Sequence, residues 1–163
     1  MSNAVFTVKR NELKVVMERT FDAPREALFQ AFIDPNAIPK WWGPRNETTT
    51  VENMDVRVNG PWRFVCRDNA GHEYAFHGVH KEIDPPERIS STFNYEGIPG
   101  DHELVQVATF EDLGGKTKVT STATYANVED LDGMLASGME KGATESWDRL
   151  AELVEKAPKR PRG

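Results

Sequence analysis

The side chain best suited to chemistry is His80. It shares strand parity with Tyr74, Phe76 and Gly78, so alternation sends its imidazole to the face that carries two aromatic rings. An inward imidazole can hydrogen-bond a ligand or exchange a proton near neutral pH. That makes it the single candidate for a catalytic base. The competing reading is a core histidine whose ring nitrogens are satisfied by neighbours. His77, three residues earlier, falls on the opposite face of the strand. A two-histidine metal pair is thereby removed, and no cluster of Cys and His supplies other ligands. Neither a metal nor a cofactor is expected.

Other motifs fail on a required residue. Gly115-Lys116-Thr117 resembles the end of a phosphate-binding loop, but Phe110 stands where its first glycine must be. No Gly-x-Ser-x-Gly nucleophile elbow occurs. Cys66 lies within a strand pattern, which suits an inert buried thiol. Asp55 with Arg57, or Glu82 with Arg63, are candidate ion pairs inside a cavity. Trp41 and Trp42 close a short helix; either both are structural, or one plugs the core and the other lines a cavity mouth. Trp62, on a strand after a turn, is either core or cavity wall.

These residues need elements to hold them. Leu13 to Asp22 places Val15, Met17, Arg19 and Phe21 on one parity, the pattern of a strand with one mostly apolar face. Pro24 opens a helix carrying Ala27, Leu28, Ala31 and Phe32 at helical spacing. Asp34-Pro35 ends it, and residues 36–42 read as a second short helix stopped by Gly43-Pro44. From Glu47 to Tyr125, short β-rich runs alternate with turns such as Asn59-Gly60-Pro61, Asp84-Pro85-Pro86 and Gly114-Gly115. Strands joined by such brief turns are antiparallel. With the first strand, the pattern predicts seven. A single helix is predicted from about Val128 to Lys156, with Leu135, Met139, Gly142, Ala143, Ser146, Leu150, Leu153 and Val154 in one stripe.

Two features point to a hollow between helix and sheet. Glycine inside a helix costs roughly 0.5–1 kcal/mol relative to alanine, yet Gly142 lies in the inner stripe and Gly138 at its edge. Either the sheet backbone comes close there or space is left open. The later strands are also rich in hydroxyls: Ser90, Ser91, Thr92, Thr117, Thr120, Ser121, Thr122 and Thr124. Those that face inward need partners. The alternative is that threonine simply favours strands and faces water.

Bulk properties bound the function. The 163 residues suit one domain with a real core, and 38% hydrophobic with 28% charged residues is ordinary for a globular chain. A formal charge of −6 argues against nucleic-acid and anionic-membrane partners. No apolar run approaches the roughly 18 residues that would span a bilayer, and no export signal opens the chain. A single cysteine suits a reducing compartment, so a cytoplasmic location is expected. One domain over 1–157 is expected, with 158–163 as a flexible basic tail.

The order of several motifs resembles the Activator of Hsp-90 ATPase homologue-like family, of the START-like or SRPBCC superfamily that also holds polyketide cyclases and the birch-pollen allergen. They are Arg19-Thr20-Phe21-Asp22-Ala23-Pro24-Arg25-Glu26, Trp41-Trp42-Gly43-Pro44, Gly60-Pro61-Trp62-Arg63, Pro85-Pro86-Glu87-Arg88-Ile89, Phe110-Glu111-Asp112-Leu113-Gly114-Gly115 and Gly138-Met139-Glu140-Lys141-Gly142. The resemblance spans about residues 13–155. It implies an α+β helix-grip fold: a curved seven-stranded antiparallel sheet, two short helices after the first strand, and one long C-terminal helix across the concave face. Ala143 stands where the family commonly has tryptophan, and Trp147 follows one turn later. Asn59-Gly60 replaces a glycine pair. Family relatives often carry tyrosine at the position of His80.

The expected function is binding of a small hydrophobic or amphipathic molecule in a cavity lined by Trp42, Trp62, Phe76, His80, Phe93, Met139, Ala143 and Trp147. The alternatives are an enzyme of the cyclase or hydrolase kind using His80, and a module that stimulates a chaperone ATPase. Eukaryotic activators carry a further chaperone-binding domain, for which 163 residues leave no room. A homodimer is compatible with any of the three.

Overall fold

The computed structural model describes residues 4–100 and 102–155; the basic tail expected at 158–163 lies outside them. Among the described residues, one antiparallel sheet holds β1 (Val5–Lys9), β2 (Lys14–Phe21), β3 (Glu47–Met54), β4 (Pro61–Asp68), β5 (Glu73–Asp84), β6 (Arg88–Tyr95), β7 (Leu104–Asp112) and β8 (Thr117–Thr124). Their order across the sheet is β1-β2-β8-β7-β6-β5-β4-β3. The strands from β3 to β8 form a continuous meander, and β8 closes against β2. The helices α1 (Arg25–Ile33) and α2 (Ile38–Trp41) carry the chain from β2 to the far edge. No helix among the described residues is long and apolar enough to cross a membrane.

Two expectations are corrected here. The sheet has eight strands rather than seven, because Val5–Lys9 pairs with β2, Phe6 opposite Met17 and Val8 opposite Val15. This edge strand is short and mostly exposed, so it carries little of the alternation that reveals a strand in sequence. The C-terminal helix is also not continuous. It divides into α3 (Val128–Ala136) and α4 (Met139–Glu155). Gly138 at the break has φ +84°, a left-handed conformation that glycine adopts without a steric penalty. At ~1.5 Å per residue, α4 alone is about 25 Å long, enough to cross most of the sheet.

Several polar contacts fasten α4 down, those of Ser146, Arg149 and Asp148 nearest the core. Ser146 donates to the Trp41 carbonyl at 3.0 Å and accepts from the Gly43 N–H at 3.2 Å. The Arg149 guanidinium reaches the carbonyls of Gly43, Pro44, Pro39 and Lys40, acceptors clustered at the end of α2, where helix carbonyls lack partners along the chain. Arg19, buried on the inner face of β2, pairs with Asp148 at 2.6 Å. At the start of the helical segment, the Asn127 side chain caps α3 by accepting from the Asp130 N–H.

The buried apolar residues among those described fall into two groups. The larger gathers Met17, Phe21, Leu28, Phe29, Trp41, Trp62, Phe64, Ile89, Phe110, Val119, Trp147, Leu150 and Val154 beneath α4 and α1. The smaller gathers Val15, Leu104, Ala123, Tyr125 and Leu131 beneath α3. Phe6 and Phe93 touch both.

Candidate functional site

The inner face of the sheet can be followed from the registers. His80 on β5 stands opposite Ser91 on β6, Ser91 opposite Gln106 on β7, and Gln106 opposite Ala123 on β8. On one side of this line lies an apolar row, Gly78, Phe93 and Leu104. On the other lie Ile83, Ile89 and Ala108, with Ser121 beyond them. A polar row of His80, Ser91 and Gln106 therefore crosses the concave face between apolar rows. Ser91, Gln106 and Ser121 are half-buried, although they point inward. Three inward side chains of the concave face thus keep some solvent contact.

Aromatic rings pack together on the β4–β6 side of this face. Trp42 packs edge-on against Phe64 at 5.1 Å and Phe76 at 5.2 Å between centroids. Trp62 lies 4.7 Å from Phe64 and 5.9 Å from Phe93, and Phe76 lies 5.5 Å from Phe93. The tandem tryptophans differ in surroundings. Trp41 is buried, its indole N–H donating to the Ala31 carbonyl, while Trp42 is half-buried among the rings.

Gly78 explains how Trp62 fits. A Cβ there would lie 2.0 Å from the Thr92 carbonyl oxygen and 2.7 Å from Trp62 Nε1. The indole thus lies directly over the β5 backbone, a position that any side chain at 78 would take away.

His80 is buried, on the inward face. Neither imidazole nitrogen has a hydrogen-bond partner among the described residues, and nor does Trp62 Nε1. No described residue therefore satisfies the His80 ring nitrogens. Burial pushes the imidazole below its ordinary value, with the Asp55 carboxylate acting more weakly in the other direction, so the ring is neutral at pH 7. A neutral imidazole offers one donor and one acceptor. His77, on the outer face, bonds Glu96 at 2.8 Å. Among the described residues, no three of His, Cys, Asp and Glu gather as metal ligands.

The remaining expected lining residues are less concentrated. Met139 and Ala143 are half-buried on the first turns of α4. A Cβ at Gly142 would meet nothing within 4 Å, so of the two explanations for this glycine it is open space that applies. Trp147 sits away from the β4–β6 rings: it packs edge-on against Phe21 of β2 at 5.8 Å, where it serves the larger core.

The expected cavity ion pairs are corrected. Asp55 and Arg57 do pair, at 2.7 Å, but on the surface. Arg63 pairs with Glu96 and Glu52, and Glu82 pairs with Arg88; all belong to the outside of the sheet. Cys66 is buried beside Thr49, and burial pushes its thiol up, which suits inertness.

Sequence reasoning misses Gln106 and Phe64. Gln106 interrupts the apolar parity Leu104, Ala108 and Phe110 on β7, and that interruption is the available signal. Phe64 shares the parity of Trp62.

A family model described as Activator of Hsp90 ATPase homolog 1-like protein matches residues 22–155. Among solved structures, a Chromobacterium violaceum protein is 26% identical with a TM-score of 0.80, over 88% of this chain and 97% of that one. A Mycobacterium smegmatis protein is 25% identical with a TM-score of 0.84, over 96% and 98%. An Arthrobacter aurescens protein shares the fold at 19% identity, TM-score 0.87, over 97% and 98%. Among curated proteins, none matches this chain.

Proposed function

Because the chain belongs to the Activator of Hsp90 ATPase homolog 1-like family, and a fold alone does not fix an activity, we propose a role from its own site: it binds a small, partly apolar molecule in the cleft between α3–α4 and the sheet. The observation that carries this is the polar row of His80, Ser91 and Gln106 set inward among the apolar residues of the concave face. A solid core would not set an unpartnered imidazole beside inward Ser91 and Gln106 side chains that keep solvent contact. A ligand lying along the row buries its apolar body against Trp42, Trp62, Phe76 and Phe93. Each Å² of apolar surface so removed from water contributes roughly 25 cal/mol. The buried, neutral His80 supports a second reading, an enzyme in which this imidazole accepts a proton from the bound molecule.

Native mass spectrometry of gently purified protein, followed by a thermal-shift screen of apolar acids, lipids and polyketide-like aromatics, tests the binding role. A retained mass, or a melting shift that grows with ligand concentration, is the expected result. A protein that arrives empty and is shifted by no compound would remove the reading. Chemical change in a bound compound, lost in His80→Gln, would instead establish the enzyme.

A further inference from the structure

We propose that His102 and Asp130 form a proton-operated latch: a doubly protonated His102 imidazole ties the start of β7 to the first turn of α3, and loss of one ring proton loosens α3 while α4 stays seated. This latch stands independently of the small-ligand reading above.

The partners of the ring dictate its protonation. His102 Nδ1 lies 2.7 Å from Asp130 Oδ1, and Nε2 lies 2.9 Å from the Pro99 carbonyl oxygen. A carboxylate oxygen and a carbonyl oxygen only accept. A neutral imidazole carries one N–H, so in either tautomer one nitrogen lone pair faces an oxygen lone pair at hydrogen-bond distance. The imidazolium donates at both nitrogens and removes that conflict. The carboxylate favours the same form. The Asp130 side chain is 12% exposed, and its Oδ2 is buried with no hydrogen-bond partner among the described residues. A carboxylate so placed is costly without positive charge beside it. The N-terminus of α3 offers a partial positive charge, and the imidazolium adds a full one.

Other charged groups on the neighbouring elements are engaged elsewhere or turned to solvent. On α3, Asp132 pairs with Arg10 and Glu129 is exposed. Glu103, beside His102, accepts from Asn94 of β6, and Glu96, just past that strand, is held by Arg63 and His77. Asp130 is thus the described carboxylate set against the ring. An opposite charge at this distance favours the protonated imidazole. The latch is therefore complete below about pH 6.5, where an unperturbed imidazole takes up its proton. It is lost as the pH rises through the titration of the folded ring. Its loss falls on α3, which buries Leu131 alone among its described residues and is parted from α4 at Gly138.

Two NMR measurements on the full chain test the latch. The first follows the nitrogen resonances of the His102 ring, assigned through the backbone. The ring is expected to hold both protons at pH 7, and Asp130→Asn, which leaves the backbone cap from Asn127 in place, should move its titration about one pH unit lower. The second is amide hydrogen exchange, corrected for the rates of an unstructured chain. Protection of Val128–Ala136 relative to Ser146–Val154 is expected to fall about tenfold between about pH 6.5 and pH 8.5, and to stay level in His102→Gln. Relative protection that stays level in the parent chain, or falls equally in His102→Gln, overturns the latch. So does a His102 ring that is neutral at pH 7. Both parent-chain measurements stand even if a variant fails to fold.

Discussion

An unfolded imidazole titrates near 6.5, and burial lowers the folded value of His80. Below pH 6.5 the unfolded chain therefore binds more protons than the folded one, so stability is complete above that pH and falls as the pH drops through it. The slope can reach about 1.4 kcal/mol per pH unit. Asp55, the charged group acting on the ring, moderates the fall without reversing it. Urea unfolding at pH 7.5, 6.5 and 5.5 should show a shallower pH dependence in His80→Gln than in the parent; parallel curves would mean that His80 does not titrate on unfolding. Two glycines give opposite expectations. Gly78→Ala drives a methyl into the Thr92 carbonyl and the Trp62 indole and should cost about 3 kcal/mol or more. Gly142→Ala meets open space within a helix and should stabilise by about 0.4–1 kcal/mol. The same urea titrations decide both, and equal effects at the two positions would contradict the packing described.

At the scale of elements, α4 is held to α2 chiefly through Arg149, which reaches four carbonyls at 2.9–3.4 Å. Burial pushes this guanidinium below its ordinary value, but arginine stays charged at any working pH. Arg149→Met keeps the apolar stem and removes the bonds, and a loss of about 2–3 kcal/mol in urea unfolding is expected. A loss below about 0.5 kcal/mol would make the clamp incidental. None of this pairing can be read from sequence, because the carbonyls belong to residues more than 100 positions away. Local pattern is far more informative. Period-2 alternation places β2 and the inward parity of Trp62, Phe76 and His80, since a buried face leaves its mark on every second residue. The same alternation leaves β1 unseen, where Phe6 is the one side chain of the strand with appreciable cover. The apolar stripe of α3 and α4 continues in phase across Gly138, so periodicity suggests one helix. The break is a matter of backbone dihedral, and side-chain pattern does not report it. Inward direction is legible for the candidate site. The absence of partners for His80 and Trp62 is not, being a property of the packed neighbours.

At the scale of the molecule, the divided core predicts unequal stability. The buried side chains Ser146, Trp147, Leu150, Ala151 and Val154 all lie on α4, which also holds the Arg149 clamp and the Arg19–Asp148 pair. By contrast, α3 buries Leu131 alone among its described residues, and its ties from Asp132 to Arg10 and from Asp130 to His102 lie nearer the surface. Local opening costs what the opened segment loses in burial and bonding. The Gly138 junction gives the two helices separate hydrogen-bond ladders, so α3 can detach while α4 stays seated. Hydrogen exchange should therefore find the amides of Val128–Ala136 opening at a free energy clearly below those of the α4 core from Ser146 to Val154. A ligand seated on the His80–Ser91–Gln106 row would touch the smaller core beneath α3 as well as the larger, and should slow exchange in α3 more than in α4. Identical protection of the two helices, free and bound, would mean that they move as one unit and that α3 does not gate the cleft. Faster exchange in α3, slowed by a bound ligand, would make this nine-residue helix the mobile wall through which the ligand enters.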